Sequence, residues 1–283
     1  MMRSEGGAAL RKAILSVAAV SPSDTRIDPH AIAKDVIQCW KHGAAMVHMH
    51  ARDRNGNLTP DLSVLKETVD DIRRESDIIV EISTGGVSNL TIEERCRPCF
   101  APYVEETSLN VGSVNLGEAV YQNPIKDVEY CVKTILENRK HPDAEMFEMG
   151  MIQTLKELDE QFHLPRPRVI SLVHGYKGAV PATSSAVNRM LETVEEAFPD
   201  EDFIWGFIQG NRQDWTLVQT ALDMGATIIR VGMEDSKYLA PGIPARANLE
   251  LVQRAADLIK GKGIALMTPS EAREAMHLSQ PAR

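Results

Sequence analysis

Val47-His48-Met49-His50-Ala51-Arg52-Asp53 closes a short apolar run that begins at Ala45. Successive side chains of a strand alternate between its two faces, so His48 and His50 share one face and Met49 takes the other. Seven further runs of β-branched or alternating apolar residues recur along the chain and predict strands at Ile14–Val20, Ile78–Ser83, Glu105–Val111, Ala144–Met149, Arg168–Val173, Phe203–Ile208 and Thr227–Gly232. Stretches with helical periodicity lie between them, among them Pro29–His42, Leu62–Glu75, Pro124–Arg139, Ser184–Phe198 and Arg246–Lys260. Eight strand-helix units in about 250 residues have the order and size of a closed barrel of parallel strands, whereas a doubly wound sheet more often has about five or six. The expected class is α/β, a single (β/α)8 TIM barrel. No linker or composition break divides the chain, so residues 1–283 read as one domain, with a short N-terminal extension (1–12) and a C-terminal helix within 269–278.

Composition agrees with a compact globular chain: 43% hydrophobic and 25% charged residues exclude a disordered chain or a disulfide scaffold. A formal net charge of -9, with Lys and Arg scattered, argues against a nucleic-acid footprint. Arg11 and Lys12 followed by Ala13–Val20 faintly imitate a signal peptide, but the run is short, lacks a cleavage pattern and reads as the first strand. No stretch approaches the roughly 18 consecutive apolar residues of a membrane span, so a cytoplasmic location is expected. Cys39, Cys96, Cys99 and Cys131 suit reduced thiols, and Cys96-Arg-Pro-Cys99, with no second pair, suits a helix end better than a redox or metal motif.

In such a barrel the chemistry sits where the strands run out. An isolated His-x-His reads equally well as a capping and a core histidine, so the other strand ends decide. Strand eight ends Arg230-Val231-Gly232-Met233-Glu234-Asp235, with Arg230, Gly232 and Glu234 on one face. Because strands one and eight meet on closure, Glu234 can join His48 and His50 in a three-ligand metal site. Two histidines and a carboxylate suit catalytic zinc, though iron and manganese accept the same donors.

Strand three ends Ser83-Thr84-Gly85-Gly86, either a place where backbone approaches a ligand or simply a tight turn. Strand four ends Ser108-Leu109-Asn110-Val111-Gly112-Ser113. Glu145 and Glu148 have opposite parity, so only one of them can face the interior as a base or substrate anchor. An arginine beside an aspartate, as at Arg230 and Asp235, favours a carboxylate that takes a proton directly or through water, although such pairs also brace barrel ends. The loops His174-Gly-Tyr-Lys-Gly178 and Gln209-Gly-Asn-Arg212 follow strands six and seven. The latter lies where barrels often hold phosphate but carries no phosphate-binding signature.

Taken together, His48-Met-His50-Ala-Arg52, Ile82-Ser-Thr-Gly-Gly86, Ser108-Leu-Asn110-Val-Gly112-Ser113, Glu145-Met-Phe-Glu148-Met-Gly150-Met151, Arg230-Val-Gly232-Met-Glu234-Asp235 and Thr268-Pro-Ser-Glu-Ala-Arg273 keep the order and spacing of the β-keto acid cleavage enzyme family, which the chain resembles over most of its length. The resemblance implies a zinc-dependent barrel that reacts a β-keto acid with acetyl-CoA to give acetoacetate and a new acyl-CoA, and a homotetramer. It makes His48, His50 and Glu234 the zinc ligands and Arg230 and Asp235 the acid–base dyad. Glu145 joins them as a catalytic residue, and Ser83, Gly85, Gly86, Ser108 and Asn110 shape the substrate site. Where the aminohexanoate-cleaving members carry a glutamate for the substrate's ammonium group, this chain has Ser23, or Asp24 after a one-residue shift. The expected substrate therefore lacks a cationic tail. Two other readings stay open: a metal-dependent aldolase or hydrolase without CoA, and a catalytically silent metabolite-binding barrel.

Overall fold

The computed structural model describes residues 10–200 and 202–279, so nine residues of the expected N-terminal extension, 1–9, lie outside the described residues. Eight parallel strands close on themselves: β1 (Lys12–Ala18), β2 (Met46–Met49), β3 (Ile79–Ser83), β4 (Glu106–Asn110), β5 (His141–Met146), β6 (Arg168–His174), β7 (Phe203–Gln209) and β8 (Ile228–Val231). Closure comes from β1 against β8, with Ser16 opposite Arg230 and Val17 opposite Val231. The helices α1 (Pro29–Lys41), α2 (Ser63–Glu75), α3 (Ile92–Arg95), α4 (Ile125–Glu137), α5 (Met149–Phe162), α6 (Ser184–Ala197), α7 (Thr216–Asp223), α8 (Asn248–Gly261) and α9 (Pro269–Ala275) complete a (β/α)8 barrel. Two hairpins, Val114–Leu116 with Ala119–Tyr121 and Tyr238–Ala240 with Ile243–Pro244, extend the loops after β4 and β8.

Strand alternation sorts the side chains. Leu15, Val17, Val47, Met49, Val80, Ile82, Leu109, Ile170, Leu172 and Ile229 belong to the large apolar layer shared with the helices. Ile14, Met46, Ile79, Val169 and Ile228 form a second apolar cluster at the opposite end of the barrel from the His-x-His. Ala272 and Met276 close this end, and α9 that carries Ala272 starts with Pro269 and a reciprocal cap between Thr268 and Glu271. Each fully buried aliphatic side chain contributes about 1.5–3 kcal/mol. One charged contact fixes the closure: Arg273 on α9 donates to both carboxylate oxygens of Glu105, at 2.5 and 3.0 Å, and to Asp77 O at 2.7 Å. Arg73 on α2 shares that carboxylate at 2.7 Å.

Above the apolar floor the interior turns polar. His48 lies opposite Glu81, Glu81 opposite Glu106, Ser108 opposite Asp143 and Asn110 opposite Glu145. All seven are buried. Such an interior explains one displaced strand boundary. The expected β5 began at Ala144, but the strand starts at His141 and ends at Met146, because His141-Pro142-Asp143 reads as a loop until a polar barrel interior makes room for it. The first strand begins at Lys12 instead of Ile14 for another reason: exposed Lys12 and buried Ala13 pair with Ala265 and Leu266 of a short additional strand. Cys96 ends α3 and Cys99 sits in the following 3-10 turn, while all four cysteines are free and buried. No helix among the described residues is long and apolar enough to cross a membrane.

Two outcomes follow. Removing Arg273 leaves buried Glu105 with only the half-buried Arg73 as a guanidinium partner. Arg273→Met is expected to lower unfolding free energy by about 3 kcal/mol, read as a lower urea midpoint at unchanged slope. The second concerns Glu106, which has no hydrogen-bond partner on either oxygen. Burial first, then the charges of Glu81 and Asp143, raise its pKa well above the ordinary value. A carboxyl whose folded pKa exceeds its unfolded value loses stability as pH rises from the unfolded pKa toward the folded one. Glutamine does not titrate, so Glu106→Gln and the parent should melt together near about pH 5 and diverge in the variant's favour toward about pH 8.

Candidate metal centre and active site

Both histidine rings are held from behind. His48 Nδ1 lies 2.8 Å from Glu81 Oε1 and His50 Nδ1 lies 3.1 Å from the carbonyl of Gly85. A ring whose Nδ1–H is so engaged presents the lone pair of Nε2, and second partners of this kind orient metal-binding imidazoles. The two Nε2 atoms converge on Glu234 Oε1, at 3.5 Å from His48 and 3.3 Å from His50. Each of the three residues offers a donor atom within 4.8 Å of the others.

Glu234 reaches this point through a backbone feature that only glycine permits. Gly232 has φ +149°, and a Cβ there would lie 2.1 Å from Ala18 O. The chain leaving β8 therefore folds tightly over β1, where Glu234 N donates to Ala18 O at 3.2 Å. Buried Asn248, at the start of α8, locks the bend by accepting from Met233 N at 2.8 Å and donating to Ala19 O at 2.8 Å.

Arg230 rises beneath the cluster and serves three carboxylates. Its Nη1 donates to Glu145 at 3.0 Å, Nη2 to Glu234 at 2.9 Å, and Nε and Nη2 to the two oxygens of Asp235 at 3.1 and 2.9 Å. Glu145, not Glu148, is thus the interior member of that pair; Glu148 is half-buried at the N-terminus of α5. Ser108 Oγ donates to Ser83 Oγ at 3.2 Å, and Ser83 Oγ accepts from Gly85 N at 3.1 Å. Asn110 accepts from Gly112 N at 3.2 Å, and its buried Nδ2 has no partner. Gly85 and Gly86 make room for protein neighbours: a Cβ on Gly85 would strike the Tyr121 hydroxyl, and one on Gly86 would meet Leu58.

The electrostatics ask for a cation. Glu81, Glu145, Glu234 and Asp235 face a single guanidinium, and all are buried or nearly so. Burial, against the opposing pull of Arg230 and His48, raises the pKa of Glu145 and moves it toward its neutral form. That still leaves three carboxylates against one arginine. Burial disfavours the charge on Glu234, yet His50, His48 and Arg230 hold its carboxyl well below the usual range. Burial likewise opposes protonation of His48, as does Arg230, but Glu81 and Glu234 prevail and raise its pKa well above normal. The two shifts register the mutual attraction of the imidazoles and the Glu234 carboxylate. Glu234 Oε2 is buried and has no partner. Two imidazole nitrogens, an orphaned carboxylate oxygen and, once both imidazoles are neutral, three carboxylates against one guanidinium fit a divalent metal ion.

Other sequence expectations fall elsewhere. Ser23 and Asp24 are exposed on the loop after β1, where both bond to Ser21. His174 is a core residue whose pKa burial lowers to about 4, and Lys177 is exposed and pairs with Glu118. The residue of that loop that reaches the site is Tyr176, which donates to Asp235 Oδ1 at 3.1 Å. Arg212 is buried, stacks 3.8 Å over Trp215 and donates to Tyr238 O, bracing the hairpin after β8. Sequence reading missed Glu81, Tyr176 and Asn248. Glu81 had a signal: it is the charged residue of Ile78-Ile79-Val80-Glu81-Ile82 and shares parity with Ser83.

The mouth of this (β/α)8 barrel thus holds two histidines and a carboxylate that could bind a metal ion, beside an arginine-clamped carboxylate pair. Residues 18–278 match the model of the beta-keto acid cleavage enzyme family, and the chain belongs to that family. It is 31% identical over 251 residues to a 3-keto-5-aminohexanoate cleavage enzyme of Acetoanaerobium sticklandii, covering 88% of this chain and 89% of the relative. It is also 27% identical over 281 residues to a 3,5-dioxohexanoate:acetyl-CoA acetone transferase of Paraburkholderia graminis, covering 90% of each. Among solved structures the apo form of ObcA superposes with a TM-score of 0.76 at 19% identity, covering 89% of this chain and 65% of that longer one, a likeness of fold.

The support of His48 by Glu81 has a measurable consequence. Glu81→Gln should weaken divalent-metal affinity by about 10- to 100-fold in competition with a chromogenic chelator. Glu148→Gln, outside the cluster, should leave it unchanged.

Proposed function

We propose that this chain is a zinc-dependent β-keto acid cleavage enzyme, one barrel domain that reacts a β-keto acid with acetyl-CoA to give acetoacetate and a new acyl-CoA. The observation that carries the reading is the convergence of His48, His50 and Glu234 beside the Arg230 clamp on Asp235 and Glu145. A divalent ion held by those three residues supplies positive charge to the keto oxygen and to the enolate that forms beside it.

The chain's own residues do the rest. Asp235 takes the proton from the carbon between the keto and carboxylate groups, with Arg230 fixing the carboxylate's orientation through two hydrogen bonds. The enolate carbon then attacks the acetyl carbonyl of acetyl-CoA, the CoA thiolate leaves, and that thiolate attacks the original keto carbonyl. The bond from that carbonyl to the transferred carbon breaks, so acetoacetate departs and the acyl group remains on CoA. The hydroxyls of Ser83 and Ser108 and the amide of Asn110 line the strand ends where the keto acid is oriented, and the unpartnered Nδ2 of Asn110 offers a donor. Glu145, pushed toward its neutral form, is a group that can return a proton. Ser23 supports a keto acid without an ammonium tail, since the neighbouring Asp24 carboxylate is already turned to Ser21 N.

The test is a panel of β-keto acids with and without acetyl-CoA, following acyl-CoA products by mass and metal content on the same sample. Turnover should require acetyl-CoA, disappear on chelation and return with zinc. Equal cleavage without acetyl-CoA would establish an aldolase or hydrolase instead, and strong turnover of 3-keto-5-aminohexanoate would overturn the reading of Ser23.

A further inference from the structure

The carboxylate of Asp235 is bound unequally. Oδ2 accepts one hydrogen bond, from Arg230 Nε at 3.1 Å, whereas Oδ1 accepts two, from Arg230 Nη2 at 2.9 Å and from Tyr176 Oη at 3.1 Å. The guanidinium is shared with Glu145 and Glu234, so its hold on Asp235 competes with two other acceptors. The phenol has no second acceptor among the described residues. We propose that Tyr176 is a positioning residue that saturates Oδ1 of Asp235 and so leaves Oδ2 as the oxygen that takes the substrate proton.

Tyr176 is placed for this by three contacts of its loop. Val180 N donates to Phe147 O at 3.1 Å, at the end of β5, and Asn211 Nδ2 donates to Gly175 O at 3.2 Å, after β7. Gly117 N donates to Lys177 O at 3.1 Å, from the tip of the hairpin after β4. The tyrosine ring lies 6.0 Å from that of Phe147 and packs flush on Gly210, where a Cβ would come within 2.6 Å of it. The hydroxyl is therefore delivered by a loop that joins three sectors of the barrel mouth, and Asp235 is gripped from the same side by Asn211 N, which donates to its backbone carbonyl at 2.9 Å. Burial, reinforced by the Asp235 charge, raises the phenol's pKa well above its ordinary value, so it stays a donor across the neutral range.

The inference rests on the functional reading of Asp235 as the base, and its test separates the two. Tyr176→Phe keeps the ring on Gly210 and Phe147 and removes only the O–H. It should lower kcat by about tenfold with KM for both substrates and bound metal unchanged, because the donor acts on orientation in the transition state and not on binding. Exchange of the keto acid's α-hydrogens with D2O, in the absence of acetyl-CoA, should slow by the same factor. Backbone hydrogen exchange at 174–180 should accelerate alike in Tyr176→Phe and Asp235→Ala. An active parent whose kcat and α-exchange are untouched by Tyr176→Phe overturns the inference. A metal-loaded parent that exchanges no α-hydrogens with any keto acid overturns the reading of Asp235 instead; in that case unchanged protection of 174–180 in both variants overturns the hydrogen bond's role as well.

Discussion

A guanidinium in the middle of a barrel is a demanding thing to bury, since removing an ion from water costs several kcal/mol even after relaxation. Arg230 is 7% exposed and answers that cost by donating to Glu145, Glu234 and Asp235 at once. The consequence runs outward in both directions. Three carboxylates accept from one guanidinium, and in the proposed reading the negative charge left over, even with Glu145 moved toward its neutral form, favours a divalent ion at the two imidazole nitrogens. The same guanidinium ties Asp235 to β5 through Glu145, so the proposed base and the proposed metal ligands are one connected unit and not two neighbouring sites.

The acids below this unit are governed by the same accounting of charge. Glu81, Glu106 and Asp143 line the interior of three successive strands, and three adjacent carboxylates in a dry interior cannot all ionise. Glu81 is the one with cationic neighbours: against burial, His48 and Arg230 lower its pKa. For Glu106 and Asp143 the pull of His48 and of Arg230, respectively, is outweighed, and burial followed by the Glu81 charge drives both well upward. The apolar floor of Ile14, Met46, Ile79, Val169 and Ile228 then carries the stability that the polar storey above it cannot. Stability and chemistry occupy opposite ends of the same strands.

Parity along a strand grouped the proposed metal ligands from the sequence, and the structure brings the three residues together. His48, His50, Arg230 and Glu234 could be grouped because the two-residue period and the closure of strand eight on strand one are geometric rules, independent of packing detail. The same rules left one choice between Glu145 and Glu148, which the structure resolves for the interior. Where expectation slipped, it assumed that a barrel strand is apolar: His141-Pro142-Asp143 is a strand because its inward side chains meet other polar groups. Tyr176 was out of reach for a different reason. Its position depends on a loop set by Phe147, Gly117 and Asn211, residues distant in sequence whose contacts no periodicity encodes. Asn248 is similar, since its use as a lock appears only when Met233 and Ala19 are seen on either side of it.

The order in which the interior acids ionise also bears on the tautomer of His48, a proposed metal ligand. With Glu81 charged and its neighbours neutral, the Nδ1 proton of His48 is held 2.8 Å from Glu81, so Nε2, which faces Glu234, is the nitrogen that would give up its proton when an ion binds. Were Glu106 the charged member instead, no group would hold the Nδ1 proton, and the imidazole would lose the electrostatic reason for its orientation. The neutral acids are therefore part of how the barrel keeps its chemistry pointed at one end. They surround the single carboxylate that matters to His48 with groups that do not compete for the charge, and they do so on strands whose register admits no slip without sending every interior side chain to the helix layer.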